Sequence, residues 1–191
     1  EIIPQAEETL EGVALINDLF VSSYLKDAHA QVKIFDRKGK LVREVALPGI
    51  GSAAGFSGKR KDKETFYAFT SFNSPAVIYR LDLTTFESTV FRQPKLAFDG
   101  AQYETKQVFY QSKDGTRVPM FITHKKGLPL DGKAPAYLYG YGGFNISLTP
   151  FFNPTDLVFM EMGGVLAIAN LRGGGEYGED WHKAGTKQNK Q

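Results

Sequence analysis

The chain of 191 residues contains no cysteine, which excludes disulfide bonds, thiolate metal ligands and a cysteine nucleophile. It also lacks a marked excess of charge, because 23 lysines and arginines face 21 aspartates and glutamates and leave a formal net charge of +2. A protein dedicated to nucleic acid concentrates an excess of basic residues, so we expect no nucleic-acid partner. The hydrophobic share of 42% indicates a globular protein.

Long apolar runs are scarce as well. The most membrane-like stretch, residues 157–171, is interrupted by Glu161 and two glycines and is too short to span a bilayer. No cationic segment leads into an apolar one at the start, so we expect neither a signal peptide nor a membrane partner. The first residue is Glu1 rather than methionine, from which we expect a processed chain or a piece of a longer one.

Residues 1–98 alternate apolar and polar side chains and contain an internal repeat. Residues 18–24 align with residues 64–70 at an offset of 46, and residues 32–36 align with residues 77–82 at an offset of 45 to 46. The third strand of each copy is predicted at residues 41–47 and 88–91. Repeats of about 40–50 residues with several strands each are typical of β-propeller blades. We therefore predict the last part of a propeller, with an ordinary β-sandwich as the alternative.

A run of charged residues, 58–64, separates two of these strands. It resembles a basic patch, but two acids accompany its four bases. We interpret it as a solvated hairpin tip.

Residues 99–191 follow a different pattern, and we place the boundary between the two parts at residues 98–101. A hairpin, an apolar strand expected to be buried on both faces, a helix and a second apolar strand are predicted in this order at residues 107–123, 135–139, 154–162 and 165–169. The order strand, helix, strand predicts an α/β unit with parallel strands.

A glycine-rich loop with the sequence Y-G-Y-G-G-F-N follows the first apolar strand at residues 139–145. In α/β-hydrolases the loop after the third strand supplies a donor to the oxyanion hole. The Tyr141 hydroxyl could donate to an oxygen that becomes negative in a tetrahedral intermediate. The alternative is that Tyr141 and Phe144 are core aromatic residues at a strand end.

A second glycine cluster, R-G-G-G-E-Y-G at residues 172–178, contains the pattern G-x-G-x-x-G of dinucleotide sites. It does not open a first βαβ unit, and Glu176 would face the phosphates unfavourably. We interpret it as a tight structural turn in which Arg172 and Glu176 form local ion pairs.

No serine lies in a G-x-S-x-G nucleophile motif, and the histidines, His29, His124 and His182, are too scattered to suggest a metal site. We interpret each histidine as a surface or packing residue. Nothing in the sequence indicates a cofactor.

Both glycine-rich segments, together with Trp181-His-Lys183 and the strings at residues 69–75 and 109–115, resemble the prolyl oligopeptidase family over essentially the whole chain. The resemblance implies a mixed fold, with the C-terminal blades of a β-propeller in residues 1–98 and the first part of an α/β-hydrolase domain in residues 99–191.

The same resemblance implies a cytoplasmic serine peptidase that cuts short peptides on the carboxyl side of proline. Tyr141 matches the tyrosine that completes the oxyanion hole, and Phe144 matches a phenylalanine of the proline pocket. The Ser-Asp-His triad of the family would lie beyond Gln191, in remaining segments of the same enzyme. The alternatives are a related oligopeptidase with another residue preference, or a non-catalytic propeller module that binds peptides.

Overall fold

The computed structural model describes residues 2–190; Glu1 and Gln191, which bound the predicted parts, lie outside them. The first of three sheets is an antiparallel meander whose strands follow one another in space as in sequence. Its strands are β1 (Thr9–Ile16), β2 (Leu19–Lys26), β3 (His29–Phe35) and β4 (Leu41–Glu44). The turn between β2 and β3 consists of Asp27 and Ala28, both left-handed with φ of 45° and 67°. Such turns match the right-handed twist of the strands that they join.

The second sheet repeats the first. Its strands are β5 (Ser52–Ala54), β6 (Glu64–Ser71), β7 (Ser74–Asp82) and β8 (Ser88–Arg92). Ser23 lies opposite Val32 in the first sheet and Phe69 lies opposite Val77 in the second, so the second hairpin is one residue shorter. This difference accounts for the change of the repeat offset from 46 to 45. The prediction of a propeller part in this half of the chain is confirmed.

The apolar faces of the two blades pack against each other and form the first core. Its fully buried members include Ile16, Val21 and Ile34 from one blade and Tyr67 and Leu81 from the other. The Tyr67 ring stacks between two further aromatic rings, with centroid distances of 4.7 and 5.2 Å. A single blade could not bury such a face, which is why blades occur in series.

The charged run at residues 58–64 is the exposed connection that leads into β6. Arg60 pairs with Asp18, and Glu64 pairs with Arg80 across the hairpin. The bases are thus partly balanced by neighbouring carboxylates, and the interpretation as a solvated tip is confirmed.

The third sheet contains all remaining strands, in the order β11-β12-β10-β9. They are β9 (Tyr103–Gln111), β10 (Arg117–Lys125), β11 (Ala136–Gly140) and β12 (Val165–Ala169). Neighbouring strands are antiparallel except β11 and β12, which are parallel and are joined by helix α1 (Pro154–Glu161). The Asn153 side chain accepts from the Thr155 amide at 3.1 Å and caps the helix, as Asn does at this position. The predicted α/β unit is present.

The prediction that residues 135–139 form a strand buried on both faces is wrong. Every residue of β11 is exposed, and Leu138 keeps 66% of its surface accessible. The strand lies at the edge of the sheet, where among residues 2–190 the main cover is the Phe159 ring of α1, 6.3 Å from the Tyr137 ring. The equally apolar β12 lies between β11 and β10 and is buried throughout.

A second core joins the blades to the third sheet. Ala28 and Phe72, at the tips of the β2–β3 and β6–β7 hairpins, pack with Phe121, Met160 and Leu166. The Phe72 and Phe121 rings are 5.5 Å apart. The blades therefore contact the sheet through the ends of their central hairpins.

The remaining regular elements are short: helix α2 (Gly178–Lys183) and 3₁₀ turns at Gly100–Gln102 and Lys187–Asn189. No helix within residues 2–190 combines the length and the apolar character that a membrane span requires.

Candidate functional site

The predicted site residues lie in the loop that follows β11. The rings of Tyr141 and Phe144 stack on one another with centroids 6.4 Å apart and planes inclined by 28°. Tyr141 is 41% exposed and Phe144 is 85% exposed. Neither ring is part of a core within the described residues, so the alternative interpretation as core aromatic residues fails there. The loop presents an aromatic pair to its surroundings.

The backbone of this loop is held in an uncommon conformation. Phe144 and Asn145 are both left-handed, with φ of 53° and 57°. Asn tolerates this region, but for a bulky residue it is an outlier that costs about 1–3 kcal/mol. Such a conformation persists only when its surroundings determine it, and here a second loop does so.

The supporting loop is the second glycine cluster, residues 172–178, which follows β12. The Asn145 amide donates to the Gly173 carbonyl at 3.1 Å. A Cβ on Gly173 would lie 2.3 Å from the Gly142 carbonyl oxygen, and a Cβ on Gly175 would lie 2.8 Å from that of Asn145. Glycine is therefore required because two backbones lie directly against each other. The cluster is a structural turn, as predicted, and the backbone amides of Gly173, Gly174 and Gly178 already donate to carbonyl groups of the chain.

The predicted local ion pair of Arg172 is wrong, because its partner is distant in sequence. The guanidinium pairs with Asp114 in the β9–β10 turn and donates to Ser112 Oγ at 3.2 Å. Hydrogen bonds from the Thr116 backbone amide and then from Arg172 lower the pKa of Asp114 to about 2. Arg172 thus ties the supporting loop to the far hairpin of the same sheet.

The predicted ion pair of Glu176 is also wrong. Its side chain is buried, and Oε1 accepts from the Leu148 amide at 3.0 Å and from Asn170 Nδ2 at 3.3 Å. Asn170 Nδ2 donates in addition to the Leu148 carbonyl at 2.7 Å. This role of Glu176 and Asn170 could not be predicted from the sequence, because both side chains bond to the backbone of Leu148, more than 20 residues away.

The blades also contact the supporting loop. The Tyr177 hydroxyl donates to Asp27 Oδ1 at 2.6 Å, and Gln107 Nε2 donates to the Asp27 carbonyl. Burial, followed by the hydrogen bond to Asp27, raises the pKa of Tyr177. The phenol therefore remains protonated and can keep donating to the blade at neutral pH.

The histidines take separate places, as the sequence analysis expected. His182 Nδ1 lies 2.8 Å from the Gly173 carbonyl oxygen, and His124 Nδ1 lies 2.9 Å from that of Lys125. Burial lowers the pKa of His29. No group of three or more metal-binding side chains occurs within residues 2–190.

Two propeller blades, followed by a sheet of the α/β-hydrolase type with an aromatic loop after β11, define the fold class of the chain. Family models agree with this class. The N-terminal β-propeller domain of prolyl oligopeptidase matches residues 1–94, and the prolyl oligopeptidase family matches residues 150–191. The chain belongs to the prolyl oligopeptidase family.

Individual relatives resemble the chain over its whole length. The prolyl endopeptidase of Elizabethkingia meningoseptica is 48% identical over 190 residues, which are 100% of this chain and 27% of the relative. A solved prolyl endopeptidase structure, 44% identical, superposes with a TM-score of 0.91 over 100% of this chain and 28% of its own. Prolyl oligopeptidase B of Galerina marginata bound to a macrocyclization substrate is 36% identical, with a TM-score of 0.91 over 100% of this chain and 27% of its own.

Proposed function

We propose that this chain is part of a serine endopeptidase that hydrolyses short peptides on the carboxyl side of proline. The observation that carries the proposal is the exposed, stacked pair of Tyr141 and Phe144 on a backbone held in place by the supporting loop. The similarity to prolyl endopeptidases supports the same assignment. Because the chain spans 27% of the length of that relative, the activity belongs to the full-length polypeptide that carries this sequence.

In this proposal Tyr141 is the oxyanion-hole donor. A serine Oγ attacks the carbonyl carbon of the proline residue, its proton passes to the histidine of the triad, and the carbonyl π electrons move onto the oxygen, which becomes an oxyanion. The Tyr141 hydroxyl donates a hydrogen bond to that oxygen, which is negative only in the transition state and the intermediate. Collapse of the intermediate breaks the C–N bond, the histidine gives the proton to the leaving amine, and the acyl group remains on serine. Water, deprotonated by the same histidine, then attacks the ester, and collapse of the second intermediate releases the carboxylic acid and returns the proton to the serine oxygen.

Phe144 is proposed to line the proline pocket. A proline ring is compact and apolar and carries no N–H, so an aromatic wall complements it without an unpaired polar group. The exposure of Phe144 leaves its face free for such a contact.

We also propose a domain division, a location for the triad, a cellular compartment and a set of partners for the enzyme. Residues 1–98 belong to the propeller and residues 99–191 to the catalytic domain, while the Ser-Asp-His triad lies in other segments of the polypeptide. We propose a cytoplasmic enzyme without a cofactor, whose partners are proline-containing oligopeptides rather than nucleic acid or membranes.

A labelling and cleavage experiment tests this function. The full-length protein should react with a serine-directed phosphonate and should hydrolyse a fluorogenic peptide with proline before the cleaved bond. Efficient cleavage only after lysine or arginine would indicate the related oligopeptidase instead. Peptide binding without labelling or cleavage would indicate a non-catalytic propeller module, and either result would overturn the proposal.

A further inference from the structure

Two buried polar side chains hold the end of the aromatic loop. Glu176 is 1% exposed and Asn170 is fully buried. Together they occupy both backbone groups of Leu148, since Glu176 Oε1 accepts from its amide at 3.0 Å and Asn170 Nδ2 donates to its carbonyl at 2.7 Å. The two side chains also bond to each other at 3.3 Å. The backbone just beyond the aromatic loop is thus held at Leu148 by two side chains. We call Glu176 and Asn170 the clamp.

The clamp is unusual because Glu176 has no cationic partner within residues 2–190. A buried carboxylate is normally paired with a charge, and here it is bonded only to a backbone amide and a side-chain amide. In the same part of the chain, Glu176 Oε2 and Asn170 Oδ1 have no hydrogen-bond partner. An arrangement so costly to bury requires an explanation beyond filling space.

The aromatic loop supplies that explanation. Between β11 and Leu148 the chain passes through left-handed Phe144 and Asn145, a conformation that relaxes unless the segment is held on both sides. Before the aromatic pair, Gly140 at the end of β11 is paired with Ala169 of β12. After it, the Asn145 amide is bonded to the Gly173 carbonyl at 3.1 Å, and the clamp fixes Leu148. The aromatic pair lies between these two anchored points.

We propose that Glu176 and Asn170 are positioning residues that hold Tyr141 and Phe144 in the orientation needed for the reaction and for proline selectivity. This inference rests on the proposed function of those two aromatic residues. The clamp touches neither substrate nor reacting atoms. It acts through the backbone at Leu148, and a displacement of about 1 Å at a reacting group can cost up to a hundredfold in rate.

A general structural role would give a different result from a positioning role. Loss of fold stability lowers the number of active sites but leaves each surviving site unchanged. Loss of positioning lowers kcat per active site and also reduces the preference for proline. Titration of active sites with the phosphonate and the kcat/KM ratio for matched substrates with proline or alanine before the cleaved bond separate the two.

The test uses the full-length enzyme with Glu176→Ala, Glu176→Gln and the matched control Glu179→Ala. Glu179 lies three positions further on and is exposed. We expect Glu176→Ala to lower kcat per titrated site and the proline-to-alanine ratio by about fivefold to a hundredfold each. Glu176→Gln keeps an acceptor for the Leu148 amide and should stay within about threefold of the parent enzyme, as should the control.

Asn170→Ser provides a second variant if Glu176→Ala does not fold, because it removes the bond to the Leu148 carbonyl and leaves that to the amide. It should reduce the proline-to-alanine ratio in the same direction. An unchanged ratio and an unchanged kcat per site in the folded variants would overturn the positioning role. Tyr141→Phe is measured in parallel: if it is impaired while the clamp variants are not, only this inference fails, whereas an unimpaired Tyr141→Phe contradicts the proposed function itself.

Discussion

The two glycine-rich loops of the third sheet use the same residue type for opposite purposes. Residues 139–145 follow β11 and display two aromatic rings outward, whereas residues 172–178 follow β12, bury Glu176 and place their backbone against the first loop. In one loop the side chains matter, and in the other the absence of side chains matters. A glycine cluster in a sequence is therefore ambiguous until it is known which backbone lies against it.

The largest effect on catalysis is expected from a substitution at Tyr141, in the loop that displays its side chains. Replacing this tyrosine with phenylalanine in the full-length enzyme removes only the hydroxyl, and we expect kcat to fall by about a hundredfold to a thousandfold with little change in KM. Steady-state kinetics per titrated active site measures this effect. A kcat within about threefold of the parent enzyme would remove Tyr141 from the oxyanion hole.

A substitution in the supporting loop should lower stability through the backbone, because this loop packs against the aromatic loop by backbone contacts. Gly173→Ala places a Cβ 2.3 Å from the Gly142 carbonyl oxygen at a φ of 100°. We expect a loss of about 2 kcal/mol in stability from the left-handed backbone and the forced shift. The midpoint of denaturant unfolding of the full-length protein, together with kcat, reports both consequences.

The control for this change is Gly127→Ala. Gly127 is also left-handed, with φ of 79°, but nothing lies within 4 Å of its added Cβ. It should lose only the conformational part, about 1 kcal/mol. Equal losses at the two glycines would show that the contact between the loops is unimportant.

Phe144→Ala tests whether the exposed side chains of the aromatic loop serve binding rather than stability. Because this side chain is 85% exposed, its loss should not lower the unfolding midpoint. We expect KM for proline substrates to rise about fivefold to tenfold, as for the loss of one aromatic contact. Phe151→Ala, at an exposed phenylalanine beyond the loop, is the control and should leave KM unchanged. Retained selectivity for proline over alanine would contradict the pocket assignment.

The smallest effect concerns the pair that ties the supporting loop to the β9–β10 turn. The pKa of Asp114 is lowered to about 2, so its stabilising contribution is present above its unfolded pKa of about 4 and is lost as pH falls through about 2. Asp114→Asn should therefore be slightly less stable than the parent protein at pH 7 and should approach its stability as the pH falls below 2. Denaturation midpoints at several pH values measure the difference.

Lys113→Gln changes the neighbouring exposed charge in the same turn and serves as control. Its difference from the parent protein should not follow the titration of Asp114. Because Asp114→Asn removes a negative charge and Lys113→Gln a positive one, pH dependences of equal size and opposite sign would show that the effect comes from net charge and not from the contact with Arg172.

The sequence predicted those features that repeat or that depend on local order. An offset of 46 residues identified the blades because equivalent strands pair in nearly the same register, and equivalent positions such as Val21 and Tyr67 enter the same core. Pro154 and the pair Gly163-Gly164 marked the helix, because their effects are confined to its ends.

Features that depend on spatial neighbours could not be predicted in this way. The strands β11 and β12 are both apolar, but within residues 2–190 one is exposed and the other buried, because in that part of the chain β12 has a strand on each side and β11 has one only on one side. Glu176 carried no signal of its role, because a backbone amide 28 residues away leaves no trace in side-chain pattern. Tyr141 could be located from its motif, but its exposure and the left-handed backbone beside it required the structure.

The hairpin tips that enter the second core limit the use of blades as exchangeable modules. Ala28 and Phe72 belong to different blades but pack against Met160 and Leu166, which lie in the third sheet and its helix. In a chimera with a blade from a relative, the tip residue of the relative would enter a core that is packed around a different tip residue. Recombination points at the boundaries between strand and turn preserve this contact, because the tip residue and the third sheet then come from the same protein.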